Sequence, residues 1–69
     1  PMNQHEYEVI VGNVGTVYKG SDATEAHRLY NYYVELSRTG AGRVAYEDVT
    51  LFLDGEPSEE YRAVEFTVP

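Results

Sequence analysis

The amino-acid sequence predicts a small α+β domain in which one amphipathic helix packs against an antiparallel sheet, in the order ββαββ. Two observations support this prediction. Apolar and polar residues alternate in stretches on either side of the middle of the chain, and the stretch between them has its apolar residues at helical spacing. The 69 residues are too few for more than one domain, which we assign to residues 2–69. Pro1, which precedes Met2, is interpreted as a cloning remnant.

The first two strands are predicted to form a hairpin. In EYEVIV, residues 6–11, one tyrosine and two valines fall at every second position, so their side chains share one face of a strand. Gly12 and Asn13 both tolerate a positive φ and lie between apolar flanks, which is typical of a hairpin turn. The β-branched and aromatic residues of TVYKG, residues 16–20, favour a returning strand.

A single amphipathic helix is predicted over residues 22–38. Asp22 is a good N-cap and Glu25 follows three residues later, the spacing at which each side chain caps the backbone N–H of the other residue. Gly40 stands where the helix should end in a left-handed residue. At about 100° per residue the apolar side chains fall in one arc. That arc holds Ala23, Ala26, Leu29, Tyr30, Tyr33, Val34 and Leu36.

The last two strands are predicted to form a second hairpin. VTLFL, residues 49–53, alternates like a half-buried strand, and Asp54-Gly55 is a dipeptide favoured in tight hairpin turns. We expect Pro57 to prevent the ladder from continuing through the residues that follow the turn. The returning strand is therefore placed in YRAVEFTV, residues 61–68.

The charge of the chain is strongly acidic and unevenly distributed. Five basic residues stand against twelve acidic ones, a net charge of −7. Residues 1–43 hold five acidic and four basic residues, net −1, whereas residues 44–69 hold seven acidic residues and one arginine, net −6. Such a field repels nucleic-acid phosphates and membrane headgroups and attracts basic protein surfaces. We therefore expect no direct binding to nucleic acid or membrane.

The glycine-rich stretch SRTGAGRVAYED, residues 37–48, raises the question of a phosphate-binding loop. Phosphate loops lead from glycines into a helix N-terminus, where free N–H groups face the anion. Here the glycines follow a helix, so the free groups are carbonyls and the dipole end is negative. We interpret the stretch as a helix stop and connector. A ligand-binding loop remains the alternative, and it would consist of Arg38, Gly40, Gly42 and Arg43.

Catalytic and metal-binding patterns are absent from the sequence. There is no cysteine, no serine in a nucleophile motif, and no calcium-loop ladder around the Asp54-Gly55 dipeptide. His5 and His27 do not have the spacing of a zinc motif, and His27 at the margin of the apolar arc is expected to be partly buried and structural. We predict no catalytic residue, no metal and no cofactor, and we predict that the protein is not an enzyme.

The surface residues that invite a functional interpretation are one tyrosine and six carboxylates. Tyr32 falls on the polar side of the helix, where it either covers the stems of neighbouring charged side chains or anchors a partner. The carboxylates of the second half either keep the protein soluble and protect sheet edges, or face a basic partner. The predicted partner-binding residues are Tyr32, Glu47, Asp48, Asp54, Glu56, Glu59 and Glu60.

The stretches EYEVIVGNVGTVYKG, DATEA and EDVTLFLDGEP together resemble small acidic proteins encoded by bacteriophages and prophages. The resemblance covers most of the chain in style and in its hairpin–helix–hairpin order, and it rests on no diagnostic motif or named family. Members of this group with known roles often bind and inhibit a host enzyme or defence complex, sometimes by imitating nucleic acid. The resemblance implies a protein-binding role and assigns no role to individual residues.

These observations lead to one expected function and two alternatives. We expect an interaction module that binds a basic, nucleic-acid-binding surface of a partner protein, and the resemblance implies a phage-type inhibitor or modulator. The alternatives are a protein that binds a small ligand or nucleotide, and a homo-oligomeric structural accessory, for instance a homodimer formed through sheet edges. No apolar run approaches about 18 residues and no basic-then-apolar leader precedes the domain, so we expect a cytoplasmic location in a bacterial or phage-infected cell.

Overall fold

A computed structural model describes residues 4–40 and 46–63 and shows one helix packed on a four-stranded antiparallel sheet. The strand order is β2-β1-β3-β4, so β1 and β3 are central and β2 and β4 form the edges. This arrangement confirms the predicted α+β fold and its ββαββ order. The elements are β1 Tyr7–Val11, β2 Gly15–Gly20, α1 Ala23–Thr39, β3 Val49–Leu53 and β4 Glu56–Tyr61.

The core lies between α1 and the two central strands. Val9 pairs with Leu51 and Val11 pairs with Val49, and all four side chains are fully buried. The alternation seen in the sequence puts these residues on the face that α1 covers, where Ala26 and Tyr30 meet them. Aromatic and aliphatic side chains at the margin complete the cluster; they are Tyr7, Val17, Tyr18, Tyr33, Val34, Leu36 and Tyr61.

The start of α1 is capped by two different residues. Asp22 is the N-cap, and its Oδ1 accepts a hydrogen bond from the backbone N–H of Glu25 at 3.1 Å, as predicted. The reciprocal half of the cap was predicted wrongly, because the Glu25 carboxylate binds Arg28 instead. The backbone N–H of Asp22 donates to the Tyr18 hydroxyl at 3.1 Å. The end of β2 thereby fixes the start of the helix.

The end of α1 is tied to the segment that enters β3. Gly40 is left-handed, with φ of 75°, which confirms the predicted stop. Ser37 is fully buried, and its Oγ donates to the backbone oxygen of Glu47 at 2.5 Å. The Ser37 carbonyl accepts hydrogen bonds from Gly40 N at 3.2 Å and from Tyr46 N at 3.1 Å. This single residue thus joins the helix to the start of the second hairpin.

The turn of the first hairpin differs in detail from the prediction. Val14 N donates to Val11 O at 3.0 Å and closes the turn. The positive φ falls on Gly15, at 99°, and on neither Gly12 nor Asn13. Glycine is favoured at position 15 because a Cβ strains the backbone at positive φ.

The second hairpin required a larger correction. Asp54 and Gly55 have φ of 52° and 85°, which makes the predicted tight turn and brings Glu56 directly opposite Leu53. The strand therefore begins at Glu56 and ends at Tyr61, where the predicted strand was to begin. Arg62 and Ala63 lie outside any strand, and positions 64–68 of the predicted strand lie outside the described residues.

Pro57 belongs to β4, where it pairs with Phe52, so the prediction that it stops the ladder was wrong. A proline has no backbone N–H, so in an inner strand it would remove a hydrogen bond of the ladder. β4 is an edge strand, and its register with β3 shifts between Leu51 and Phe52, which leaves Ser58 as the extra residue. Edge strands and bulges are the two places in a sheet where proline is accommodated.

We expect Ser37→Ala to destabilise the fold, because the part-buried Glu47 carbonyl would lose the hydrogen bond that the buried Ser37 hydroxyl donates. The expected loss is about 1–3 kcal/mol of unfolding free energy, measured by urea denaturation. Ser58→Ala is the matched control, since Ser58 is exposed and its replacement should change stability by less than about 0.5 kcal/mol. Equal effects of the two substitutions would show that Ser37 does not join the two segments.

Candidate functional site

Three of the predicted carboxylates lie together on the edge strand β4. Glu56, Glu59 and Glu60 are all exposed, and we call these three residues the acidic edge. Glu59 pairs with Leu51 and Glu60 pairs with Thr50 on β3. Because neighbouring side chains of a strand point to opposite faces, Glu59 lies on the helix side of the sheet and Glu60 on the other side. The acidic edge therefore presents carboxylates along the rim of the sheet, on both of its faces.

Glu59 links the acidic edge to the helix. The His27 Nε2 lies 3.1 Å from Glu59 Oε2, and His27 Nδ1 lies 2.9 Å from the carbonyl oxygen of Ala23. The His27 ring also packs edge-on against Tyr7, with ring centroids 6.2 Å apart. His27 was predicted to be partly buried, but 47% of its side chain is exposed because it sits at the rim between α1 and β4.

The charges of the acidic edge affect the pKa of a tyrosine in the core. Burial raises the pKa of Tyr30, and the negative charges of Glu59 and Glu60 raise it further. Arg62, which follows β4, has Nη2 3.5 Å from Glu60 Oε1, a long contact between exposed side chains. Such a pair leaves the Glu60 carboxylate largely open to a partner.

Asp54 lies in the turn at one end of the sheet and has partners of its own. Its Oδ1 accepts the backbone N–H of Glu6 at 2.9 Å, and its Oδ2 lies 2.6 Å from Nδ1 of His5. Its backbone N–H donates to Glu6 O at 2.8 Å. The Glu6 N–H, and after it His5, lower the pKa of Asp54, so this carboxyl stays ionised at neutral pH. The register of β1 with β3 makes His5 and Asp54 neighbours.

Glu47 and Asp48 precede β3 at its opposite end, and Asp48 accepts hydrogen bonds from two backbone N–H groups. Asp48 Oδ1 accepts the backbone N–H of Ala63 at 2.8 Å, and Asp48 O accepts that of Gly12 at 2.9 Å. Asp54 follows Asp48 by six positions, which is roughly 20 Å along an extended chain. The structure therefore does not gather the six predicted carboxylates into one patch.

Tyr32 is exposed, as predicted, with 52% of its surface accessible, and its ring stacks edge-on against Tyr33 at 5.1 Å. It is separated from the acidic edge. Tyr32 follows His27 by five residues, which places it about 140° further around the helix. Since His27 faces Glu59, Tyr32 points away from β4. One flat surface of a partner cannot cover both.

The alternative ligand loop receives little structural support. Arg38 pairs with Glu35 one helical turn earlier, and the backbone N–H of Gly40 caps the carbonyls of Leu36 and Ser37. Gly42 and Arg43 lie outside the described residues. Both described members of the loop are thus engaged in ending the helix.

Both edges of the sheet carry features that oppose pairing with another strand. The register of β1 with β2 shifts between Val9 and Ile10 and leaves Val17 as an extra residue in β2. β4 has the corresponding shift at Ser58, together with Pro57 and three glutamates. Bulges, prolines and charges are the usual protection of a free edge. These features disfavour strand pairing at the described edges, and the homodimer stays a prediction.

Residues 4–40 and 46–63, the part of the chain that the structure describes, lack a membrane-spanning helix and a metal-binding cluster. Within these ranges no helix is both long enough and apolar enough to cross a membrane. The same ranges hold no group of three or more His, Cys, Asp or Glu side chains placed to bind a metal ion. The predictions that the protein has no cofactor and is not an enzyme stay predictions.

Comparison with protein-family models, with curated proteins and with solved structures gave no match.

We expect NMR titration to place the pKa of Asp54 below the ordinary aspartate value of about 3.9. His5→Gln should raise that pKa without restoring it fully, because the hydrogen bond from Glu6 N–H is the larger cause. Because the pKa of Asp54 is lower in the folded protein than in the unfolded chain, its ionisation stabilises the fold at pH values above the unfolded-state pKa. This contribution to stability should be lost as the pH falls below about 4. His27→Gln, a matched control, should leave Asp54 unchanged. Full restoration by His5→Gln would contradict the order of the two causes.

Proposed function

We propose that this protein is an acidic protein-interaction module and that the acidic edge binds a basic surface of a partner protein. One observation carries the proposal: Glu56, Glu59 and Glu60 line an exposed edge strand in the half of the chain whose net charge is −6. We further propose that the partner is a nucleic-acid-binding protein and that the chain acts as a phage-type inhibitor or modulator.

The physical basis is electrostatic complementarity. A cluster of exposed carboxylates raises the rate of encounter with a positively charged surface and rejects negatively charged ones. Basic partners of this kind are typically proteins whose own ligands are phosphates, since those proteins concentrate lysine and arginine at one site. The net charge of the whole chain, −7, adds a long-range attraction for the same positively charged surface.

Protection of the sheet edge is the competing explanation for the same glutamates. Edge protection requires only charge and a disrupted backbone, and Pro57 with the extra residue Ser58 already disrupts β4. Three glutamates within a strand of six residues therefore exceed what protection alone requires. The two explanations differ in their consequences: loss of protection promotes aggregation, whereas loss of a binding surface weakens one particular complex.

The test first finds a partner and then compares two variants that have the same change in net charge. Immobilised protein captures partners from a host-cell lysate, and mass spectrometry identifies the captured protein. The purified partner is then titrated by calorimetry at several salt concentrations. We expect a basic partner whose affinity falls steeply with salt. Neutralising Glu56, Glu59 and Glu60 to glutamine should weaken binding at least about tenfold.

The matched control neutralises Glu8, Glu25 and Glu35, which lie on the outer face of β1 and on the helix. This variant should bind within about threefold of the unchanged protein, because it alters net charge without altering the acidic edge. Tyr32→Ala should also leave the affinity unchanged, since Tyr32 points away from β4. Equal weakening by both triple variants would reduce the effect to net charge and defeat the proposal.

A further inference from the structure

A surface cleft of about 460 Å³ lies at one end of the sheet, where three chain segments meet. The segment before β1, the end of β2 and the turn between β3 and β4 form its walls. The cleft is open to solvent, and every lining residue is exposed except the half-buried Gly20. The lining residues are Gln4, His5, Glu6, Gly20, Ser21 and Asp54.

Hydrogen bonds between the segments hold the walls in place. The Asp54 carboxylate accepts the backbone N–H of Glu6 and lies 2.6 Å from His5 Nδ1, which joins the turn to the strand entrance. Across the cleft, Gln4 Nε2 donates to the Ser21 hydroxyl oxygen at 2.7 Å. A ligand would therefore meet side chains that are already oriented, which reduces the entropy lost on binding.

The groups left for a ligand are mainly hydrogen-bond acceptors. The contact of His5 Nδ1 with the Asp54 carboxylate favours the neutral tautomer that carries its proton on Nδ1, and in that tautomer Nε2 is an acceptor. Glu6 lines the cleft and is exposed, and within the described residues its carboxylate takes part in no hydrogen bond or ion pair. Ser21 and Asp54 keep further lone pairs. Among the described residues, two carboxylates and no lysine or arginine line the cleft.

We propose that this cleft binds a guanidinium group. A guanidinium is a cation with five N–H donors and no acceptor, which complements a wall of acceptors with two negative charges. Its planar fork can pair with the Glu6 carboxylate through two parallel hydrogen bonds, while another N–H reaches His5 Nε2. An ammonium group has the same charge but lacks this planar fork, so arginine should be preferred to lysine.

The guanidinium can come from an arginine side chain of a partner protein or from a free small molecule. The cleft contains none of the residues of the acidic edge, so the inference stands whether or not that edge binds a partner. The two proposals can therefore fail separately.

The test is an NMR titration of the isotope-labelled full chain at low salt with N-acetyl-arginine amide. N-acetyl-citrulline amide has nearly the same shape without the charge and is the matched control, and N-acetyl-lysine amide tests the preference for the fork. We expect saturable shift changes at the His5 imidazole and at the amides of Glu6, Ser21 and Asp54, with a dissociation constant on the order of millimolar for arginine. Citrulline should bind at least about tenfold more weakly.

Two single substitutions with equal charge change locate the site. Glu6→Gln should weaken arginine binding several-fold, whereas Glu8→Gln should not, because Glu8 lies outside the cleft lining and accepts a hydrogen bond from Thr16. Shifts of equal size for arginine and citrulline would overturn the proposal. Equal weakening by the two substitutions, or shifts spread along the whole acidic surface, would overturn it as well.

The source of the guanidinium is decided with the purified captured partner. If Glu6→Gln weakens both arginine and partner binding, the natural ligand is an arginine of the partner. If it weakens arginine alone, the ligand is a free guanidinium compound. Arginine binding that persists while the triple substitution of Glu56, Glu59 and Glu60 leaves the partner affinity unchanged would defeat the acidic-edge proposal and spare this one.

Discussion

The pairing of β1 with β3 is the constraint on which the rest of this structure depends. Each hairpin alone would expose one apolar face, and a two-stranded hairpin is marginally stable in water. Pairing brings Val9 against Leu51 and Val11 against Val49, and only the resulting four-stranded face is wide enough to receive α1. About forty residues separate these partners in the chain. The helix, with the hydrogen bonds that join its two ends to the two hairpins, therefore holds the hairpins in position.

The same pairing determines where charged side chains lie. With β1 and β3 in the centre, β4 becomes an edge, and its glutamates face solvent where an inner strand would have buried them. The register that sets Tyr7 opposite Leu53 also brings His5 to Asp54 and closes one side of the cleft. The acidic edge and the cleft are thus two consequences of one strand order, formed at different places on the sheet.

Much of the fold was predictable because local patterns and tertiary packing agree. The helix cap at Asp22, the stop at Gly40 and the turn at Asp54 each depend on residues within a few positions of one another. The placement of β4 was not predictable in this way. Pro57 argues locally against a strand, and its tolerance depends on β4 being an edge, which is a property of the whole sheet.

The candidate site shows the same division more sharply. Composition and order along the chain were enough to establish an acidic second half, an exposed Tyr32 and a glycine stretch that ends a helix. Which carboxylates share a surface was decided by strand order and helix rotation, because these set distances between residues far apart in sequence. Ser37 illustrates the limit: a serine near a helix end has no apolar signal, and only the packed structure makes it the buried link to Glu47.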